Sequence, residues 1–167
     1  MSVRIQIDNA CADGEPVPER ALLRRWLRAA LRHLGRRDAE VAIRIVGEAE
    51  GAEIYARYRQ RVARRATRPH ATNVLSFPAD LPEWVDLPQL GDLVICAPVV
   101  NREAAEQGKA PEAHWAHMVV HGTLHLLGHD HRNDADAERM EALETGILAA
   151  LDFPPPYAPT APTRASA

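Results

Sequence analysis

The chain has 167 residues, of which 46% are hydrophobic, so it is long enough for one compact domain and too short for two. No run approaches the roughly eighteen uncharged apolar residues of a membrane span, and the N-terminus carries no secretory signal pattern. The net charge of -3 hides an asymmetry, because residues 1–69 hold 15 of the 20 basic residues. The arginine clusters at 24–37 and 57–68 indicate either a surface for an anionic polymer or solvated helix faces.

Cys11 and Cys96 are isolated in the sequence and form no CxxC pair. Two such cysteines are too few for a disulfide framework, which fits a reducing compartment. Together with the absence of a membrane span, they predict a cytoplasmic protein.

The first part of the chain shows strand and helix patterns in turn. Apolar residues alternate with polar ones at 3–7 and again at 41–45, which predicts two half-buried strands. Between them, an apolar stripe with arginines on its other side predicts a helix from near Pro18 to Gly35. A second helix is predicted after Gly47.

The second part adds two strands and three helices. The short apolar runs TNVLSF (72–77) and DLVIC (92–96) predict strands, separated by an acidic loop at 79–91. Proline and glycine positions and apolar periodicity predict helices at 98–108, from Pro111 onward, and at 134–151. We therefore expect a single α/β (α+β) domain at residues 1–152 with a mixed sheet of about four strands packed with helices. Residues 153–167 are expected to be a Pro-rich disordered tail.

Three histidines in the segment PEAHWAHMVVHGTLHLLGHDH have the spacing of a zinc site. His121 and His125 are four residues apart in a helical segment, so both rings project from one face. Gly128 can supply the left-handed turn that ends the helix, after which the chain can bring His131 to the same point. Three imidazoles plus water form an open catalytic zinc site. The spacing thus predicts one Zn²⁺ per chain, in a zincin-like site on a helix and its exit loop.

Neighbouring residues leave alternatives open. His117 lies four residues before His121 and could pair with it or contact substrate, while His129 offers a second imidazole in the exit loop. His131 is preferred because it lies ten residues beyond the first ligand, the offset that a helix, a glycine and a returning chain support. Asp130 can orient an imidazole or cap the turn.

The ligand spacing H-x-x-x-H-x-x-G-x-x-H also matches the metal-binding half of the metzincin peptidase signature. Those peptidases carry Glu directly after the first histidine as general base, whereas this chain has Gly122. Proteolysis by the usual route would lack that carboxylate, so a zinc metallopeptidase is the lesser alternative.

With this motif the chain resembles the YbeY family of bacterial endoribonucleases. The family pattern H-G-x-L-H-L-x-G-[YH]-D-H is present as HGTLHLLGHDH at 121–131. The likeness continues in TNVLSFP at 72–78, LGDLVIC at 90–96 and MEALE at 140–144, and covers most of residues 40–157. Several blocks in the family's order are far more specific than the zinc motif alone.

The resemblance implies an activity, a substrate and partners. It implies a zinc-dependent, single-strand-specific endoribonuclease that matures the 3′ end of small-subunit ribosomal RNA and acts in ribosome quality control. It also implies contact with the small ribosomal subunit, through one of its proteins or an assembly GTPase, and no role for a membrane. The alternative is a ribosome-docking assembly factor in which zinc is structural.

The family's Tyr-Arg pair matches Tyr58-Arg59, which makes Arg59 the candidate catalytic residue at the scissile phosphate. An arginine fork can hold two phosphate oxygens and offset developing charge. The chain departs from the family in a longer segment after Arg59, with four arginines between residues 61 and 68. Arg61 is therefore an alternative for the same position. The general base is left open between metal-activated water, His129 and the RNA 2′-hydroxyl.

Overall fold

A computed structural model describes residues 2–11, 14–61, 72–79, 88–130 and 132–157. The elements in these ranges are, in chain order, β1 (Val3–Asn9), α1 (Arg20–His33), β2 (Ala39–Val46), α2 (Glu48–Arg61), β3 (Val74–Pro78), β4 (Gln89–Cys96), α3 (Ala97–Gln107), α4 (Pro111–Leu126) and α5 (Asp134–Ala150). The predicted α/β class is confirmed. Within these ranges, no helix is both long enough and apolar enough to cross a membrane.

The four strands form one mixed sheet in the order β1-β2-β4-β3. β1, β2 and β4 run parallel, and β3 pairs antiparallel with β4. In β2 the side chains of Val41, Ile43 and Ile45 are buried, whereas the alternate residues Glu40 and Arg44 are only half-buried. The sheet therefore buries one face in the hydrophobic core and leaves the other partly open.

Helix α4 lies at the centre of the packing and carries the predicted metal ligands. It contacts β3 and β4 of the sheet as well as α1, α3 and α5. Eleven of its sixteen residues are buried, and Trp115 anchors it by donating from Nε1 to Asn101 Oδ1 at 2.7 Å. A helix that is apolar on most of its surface belongs in a domain core. The histidines of α4 are thus carried by a fixed element.

The residues that follow α5 pack back onto the domain. The Phe153 ring lies 6.0 Å from the Trp26 ring in an edge-on contact, and Lys109 Nζ donates to the Pro156 carbonyl at 3.0 Å. Residues 153–157 belong to the predicted tail, and in the structure Phe153 contacts α1 while Pro156 contacts Lys109, just before α4. Residues 158–167 lie outside the described ranges.

Gly91 allows β3 and β4 to pair closely at an irregular point of the sheet. It has a φ of 137°, and the register between β2 and β4 shifts beside it, where Glu40 pairs with Gln89 and Val41 pairs with Gly91. A Cβ at this position would lie 2.2 Å from the Phe77 carbonyl oxygen. Since that oxygen belongs to the backbone, it could not move aside without breaking the strand pair.

We expect Gly91→Ala to destabilise the fold more than Gly108→Ala. Both glycines have positive φ, but a Cβ at Gly108 would meet no atom within 4 Å. The control should therefore lose only the conformational term of about 1–2 kcal/mol, while Gly91→Ala also loses strand pairing. Urea denaturation measures both free energies of unfolding. Equal losses would contradict the steric explanation.

Glu103, on α3, connects its own helix with α4 and with the residue before β3. Its carboxylate accepts hydrogen bonds from Asn73 Nδ2, just before β3, at 3.0 Å and from His114 Nε2, on α4, at 2.9 Å. Burial alone would raise the pKa of Glu103, but the hydrogen bonds from His114 and Asn73 outweigh it and lower the pKa below its usual value.

The contribution of Glu103 to stability should therefore depend on pH. A carboxyl with a lowered folded-state pKa stabilises the fold above its unfolded pKa of about 4.3, and this stabilisation is lost as pH falls through the folded-state value. We expect Glu103→Gln to have a lower free energy of unfolding than the wild type at pH 7. Below about pH 4, the difference in free energy of unfolding between the two proteins should become smaller. Urea unfolding curves measured across this pH range provide the test. A difference in free energy of unfolding that grows as the pH falls would contradict the prediction.

Candidate metal centre

The chain turns at the C-terminus of α4, as predicted from Gly128. Gly128 has a φ of 94°, its amide donates to the His125 carbonyl at 3.0 Å, and the His129 amide donates to the Leu124 carbonyl at 3.0 Å. These two bonds form a Schellman motif, which ends a helix and reverses its direction. His131, three residues after Gly128 in the sequence, lies outside the described residues.

Gly122 holds α4 against the sheet at the level of the candidate ligands. A Cβ at this position would lie 2.9 Å from Leu93 Cδ2 and 3.2 Å from Val74 Cγ2, and Ser76 Oγ donates to the Gly122 carbonyl at 2.9 Å. A side chain here would require the packed side chains of Leu93 and Val74 to shift. The position that carries Glu in peptidases with this spacing therefore faces the sheet in this chain.

His121 and His125 point their Nε2 atoms at each other, 3.2 Å apart. Two imidazole nitrogens bound to one tetrahedral zinc at about 2.0–2.1 Å stand about 3.3–3.4 Å apart. Their separation thus fits a shared metal ion, and neutral imidazole nitrogen is a preferred zinc donor. The structure brings together these two of the three predicted ligands.

A buried carboxylate on α5 holds the other nitrogen of His121. Glu144 Oε2 accepts a hydrogen bond from His121 Nδ1, while Oε1 accepts from His117 Nε2 at 3.3 Å and from the Tyr157 hydroxyl. Glu144 is completely buried. Burial would raise the pKa of Glu144, but hydrogen bonds from His117, His121 and Tyr157 outweigh it and hold the pKa far below its usual range.

The ionised Glu144 fixes the tautomer of His121. An ionised carboxylate can only accept hydrogen bonds, so His121 Nδ1 carries the proton and Nε2 presents its lone pair toward His125. A carboxylate that orients a metal-binding histidine in this way is a common feature of zinc sites. Burial also lowers the pKa of His117 despite the hydrogen bond to Glu144, which keeps that ring neutral. The hydroxyl of Tyr157 has a raised pKa, through burial and its bond to the same carboxylate.

The same network offers a second way to hold a metal ion. His117, His121 and Glu144 each provide one ligand atom, and these atoms lie within 4.8 Å of one another. This group would use Nδ1 of His121, whereas the pair with His125 uses Nε2. The two arrangements therefore compete for the same histidine through different nitrogens.

The surroundings of the two groups differ in access to solvent. His121 and His125 line a cleft of about 430 Å³ whose other described walls are Tyr58, residues 72–76, Pro78, residues 128–130 and Arg132. In contrast, His117 is 6% exposed and Glu144 is 0% exposed. A metal held by His121 and His125 would face the cleft, where substrate has access, whereas one held by His117 and Glu144 would be enclosed.

Arg59 occupies a different position from the two histidines. Its guanidinium carbon lies 5.9 Å from the centre of the Tyr55 ring, and its Nε is buried without a hydrogen-bond partner among the described residues. The preceding residue, Tyr58, lines the cleft, but Arg59 is not among the described lining residues. Most of the arginine-rich segment after it, residues 62–71, lies outside the described ranges.

Sequence reasoning missed Glu144 and Tyr157 as members of the site. Glu144 lies in the MEALE block that supports the family resemblance, yet a single acidic residue on an amphipathic helix carries no local metal-binding signal. Tyr157 follows three prolines in a segment without periodicity. Both residues reach the site only through the tertiary packing of α5 against α4.

Comparisons with known proteins identify the family of this chain. The sequence profile of the family described as Endoribonuclease YbeY matches residues 7–152. The chain is 55% identical over 159 residues to a protein named Endoribonuclease YbeY from Stutzerimonas stutzeri, covering 95% of this chain and 94% of that protein. It is also 55% identical over 155 residues to the protein of the same name from Pseudomonas putida, with 92% and 94% covered.

A solution structure of a Thermotoga maritima protein shares the fold. It is 22% identical in sequence, with a TM-score of 0.53, and the match covers 90% of this chain and 92% of that one. At this level of identity the likeness supports the fold alone.

The two ligand arrangements predict opposite results for two histidine variants. If His121 and His125 hold the metal, His125→Ala should lose stoichiometric zinc, whereas His117→Ala should retain it. Glu144→Gln should retain the ligands but weaken zinc affinity by about 10–100-fold, because the partner that orients His121 changes. Zinc content after dialysis and competition with a chelator measure these effects, with circular dichroism to check folding. Loss of zinc in His117→Ala but not in His125→Ala would favour the enclosed arrangement.

Proposed function

The chain belongs to the YbeY family of endoribonucleases, and we propose that it hydrolyses phosphodiester bonds of single-stranded RNA in a metal-dependent reaction. The single observation that best supports this proposal is the pair of Nε2 atoms, of His121 and His125, 3.2 Å apart in an open cleft. An open cleft suits a polymeric substrate better than an enclosed metal site would.

At a finer level, we propose that the substrate is the precursor of small-subunit ribosomal RNA, cleaved in maturation of its 3′ end and during ribosome quality control. The relatives named Endoribonuclease YbeY support the ribonuclease activity. A cytoplasmic location, with contact to a small-subunit ribosomal protein or an assembly GTPase, follows from this role. The isolated cysteines, Cys11 and Cys96, fit a reducing compartment.

We propose that His121, His125 and His131 hold one zinc ion per chain. The separation of the first two nitrogens and the turn at Gly128 support this set. When bound, zinc would polarise a phosphoryl oxygen and lower the pKa of a water molecule. By accepting the hydrogen bond from His121 Nδ1, Glu144 would orient the ring so that Nε2 is presented to the metal.

The remaining cleft residues would bind and orient the RNA. Arg59, next to the cleft residue Tyr58, would move onto the scissile phosphate and share the charge on its oxygens. Arg59 Nε has no hydrogen-bond partner among the described residues, which is consistent with an N–H group that donates to a ligand. His129 lines the same cleft and is a candidate general base, beside metal-activated water and the RNA 2′-hydroxyl.

Two rival functions are less well supported. A zinc metallopeptidase would need a carboxylate at position 122, where a Cβ would already lie 2.9 Å from Leu93. A ribosome-docking factor with structural zinc would be favoured if the metal were enclosed by His117, His121 and Glu144. The open pair with His125 argues for catalysis instead.

The proposal is tested with ribosomal RNA extended at its 3′ end, incubated with zinc-loaded protein and analysed on a denaturing gel. Because His121 is a ligand, His121→Ala should lose zinc and cleavage together. Arg59→Glu should retain zinc and lower the cleavage rate by about 100-fold or more, as expected when charge stabilisation is removed from a transition state.

The matched control is Arg57→Glu on the same helix. Arg57 is exposed and pairs with Glu53, so reversing its charge should leave cleavage close to the wild-type rate. Equal cutting by wild type and His121→Ala would show a contaminating nuclease and refute the enzyme. Equal losses in Arg57→Glu and Arg59→Glu would refute a specific role for Arg59. Casein serves as a second substrate, and its digestion would favour the peptidase.

A further inference from the structure

Tyr58 contributes an aromatic ring to the same cleft as the candidate metal ligands. It lies near the C-terminal end of α2 and lines the cleft with His121 and His125. Apart from histidines, it is the aromatic residue among the described residues that form this cleft. Tyr58 therefore borders the space where RNA next to the cleaved bond would lie.

The position of this ring is fixed by two other aromatic residues. Phe77, on β3, contacts it edge-on with ring centres 5.8 Å apart and planes at 87°. Tyr55, one helical turn earlier, stacks on it at 6.5 Å with planes at 24°. A ring held by neighbours from both a helix and a strand loses little freedom when a ligand binds, which favours affinity.

Arginine side chains lie in the cleft wall and on the helix that carries Tyr58. Arg132 lines the cleft with its side chain 79% exposed, and its Nε lies 3.5 Å from the carboxylate of Asp130, which lines the same cleft. The guanidinium of Arg59 lies beside Tyr55, on the same helix as Tyr58. Basic groups beside an aromatic ring are the combination by which proteins bind unpaired RNA, the bases on the ring and the phosphates on the cations.

We propose that Tyr58 forms a nucleobase subsite, in which one base next to the scissile phosphate stacks on its ring. This inference rests on the proposed ribonuclease function and gives it a source of single-strand specificity. In a duplex each base is stacked and paired within the helix, so a base reaches the ring only from an unpaired strand. Every base has a flat face, so the subsite should select unpaired RNA with little preference for sequence.

The test compares Tyr58→Leu and Tyr58→Phe for binding to short single-stranded RNAs. One RNA is intact, and the others each lack one base at a different position. Binding of zinc-loaded protein is read by fluorescence anisotropy within seconds of mixing, and the same samples are run on a gel to record cleavage. Zinc content and thermal unfolding establish that each variant is folded and loaded.

We expect Tyr58→Leu to weaken binding of intact RNA by about 5- to 150-fold, the range given by base stacking on an aromatic residue. Tyr58→Phe retains the ring and should bind within about 2-fold of the wild type. Removing one particular base should weaken wild-type binding by a similar factor, and Tyr58→Leu should then add no further loss on that RNA. This loss of additivity identifies a direct contact.

The matched control is Tyr55→Leu, which removes the ring next to Tyr58 from outside the described cleft wall. Because Tyr55→Leu keeps the Tyr58 ring but removes one neighbour that holds it, binding of intact RNA should weaken less than in Tyr58→Leu, and most of the loss on removing the particular base should remain. If the losses from Tyr58→Leu and from base removal are additive at every position, the subsite is refuted. If Tyr58→Leu and base removal weaken binding non-additively but the RNA is never cut, the subsite is supported and the ribonuclease proposal is refuted. Failure of the subsite and failure of the ribonuclease proposal are therefore distinguishable.

Discussion

The close approach of α4 to β3 and β4 at Gly122 is the constraint on which the site depends. At this point the helix has no side chain between its backbone and the sheet, and Ser76 bonds directly to the Gly122 carbonyl. His121 is consequently held beside β3, at the edge of the cleft that β3 helps to form. A larger residue would require Leu93 and Val74 to repack, and Val74 is part of the cleft wall.

The Glu144 carboxylate is the second feature that determines the geometry of the site. It is buried, ionised and bonded to groups from α4 and from the segment after α5. A buried charge is costly unless its hydrogen bonds are satisfied, and here three donors satisfy it. The same bonds that offset that cost also determine which nitrogen of His121 faces the cleft. Stability and ligand orientation are therefore properties of one network.

The sequence was most informative where a single local rule decided the outcome. Period-two alternation found β1 and β2, and proline and glycine located the ends of α3 and α4, because those signals act within a few residues. The pairing of His121 with His125 followed from helical geometry alone. The composition of residues 153–157, in contrast, gave no hint of Phe153 packing on Trp26, because that contact joins distant parts of the chain.

The Glu144 network is formed entirely by protein groups. The carboxylate takes its three hydrogen bonds from side chains of this chain, and the sheet and helices around it share an extensive hydrophobic core. Such a domain differs from a small zinc module, whose chain folds only around its metal. Metal loading of this domain would then be a simple equilibrium with the free ion, and loss of the ion would leave a folded protein that can be loaded again. The fraction of active molecules would depend on the concentration of available metal, and no protein would have to be degraded and synthesised again to restore activity.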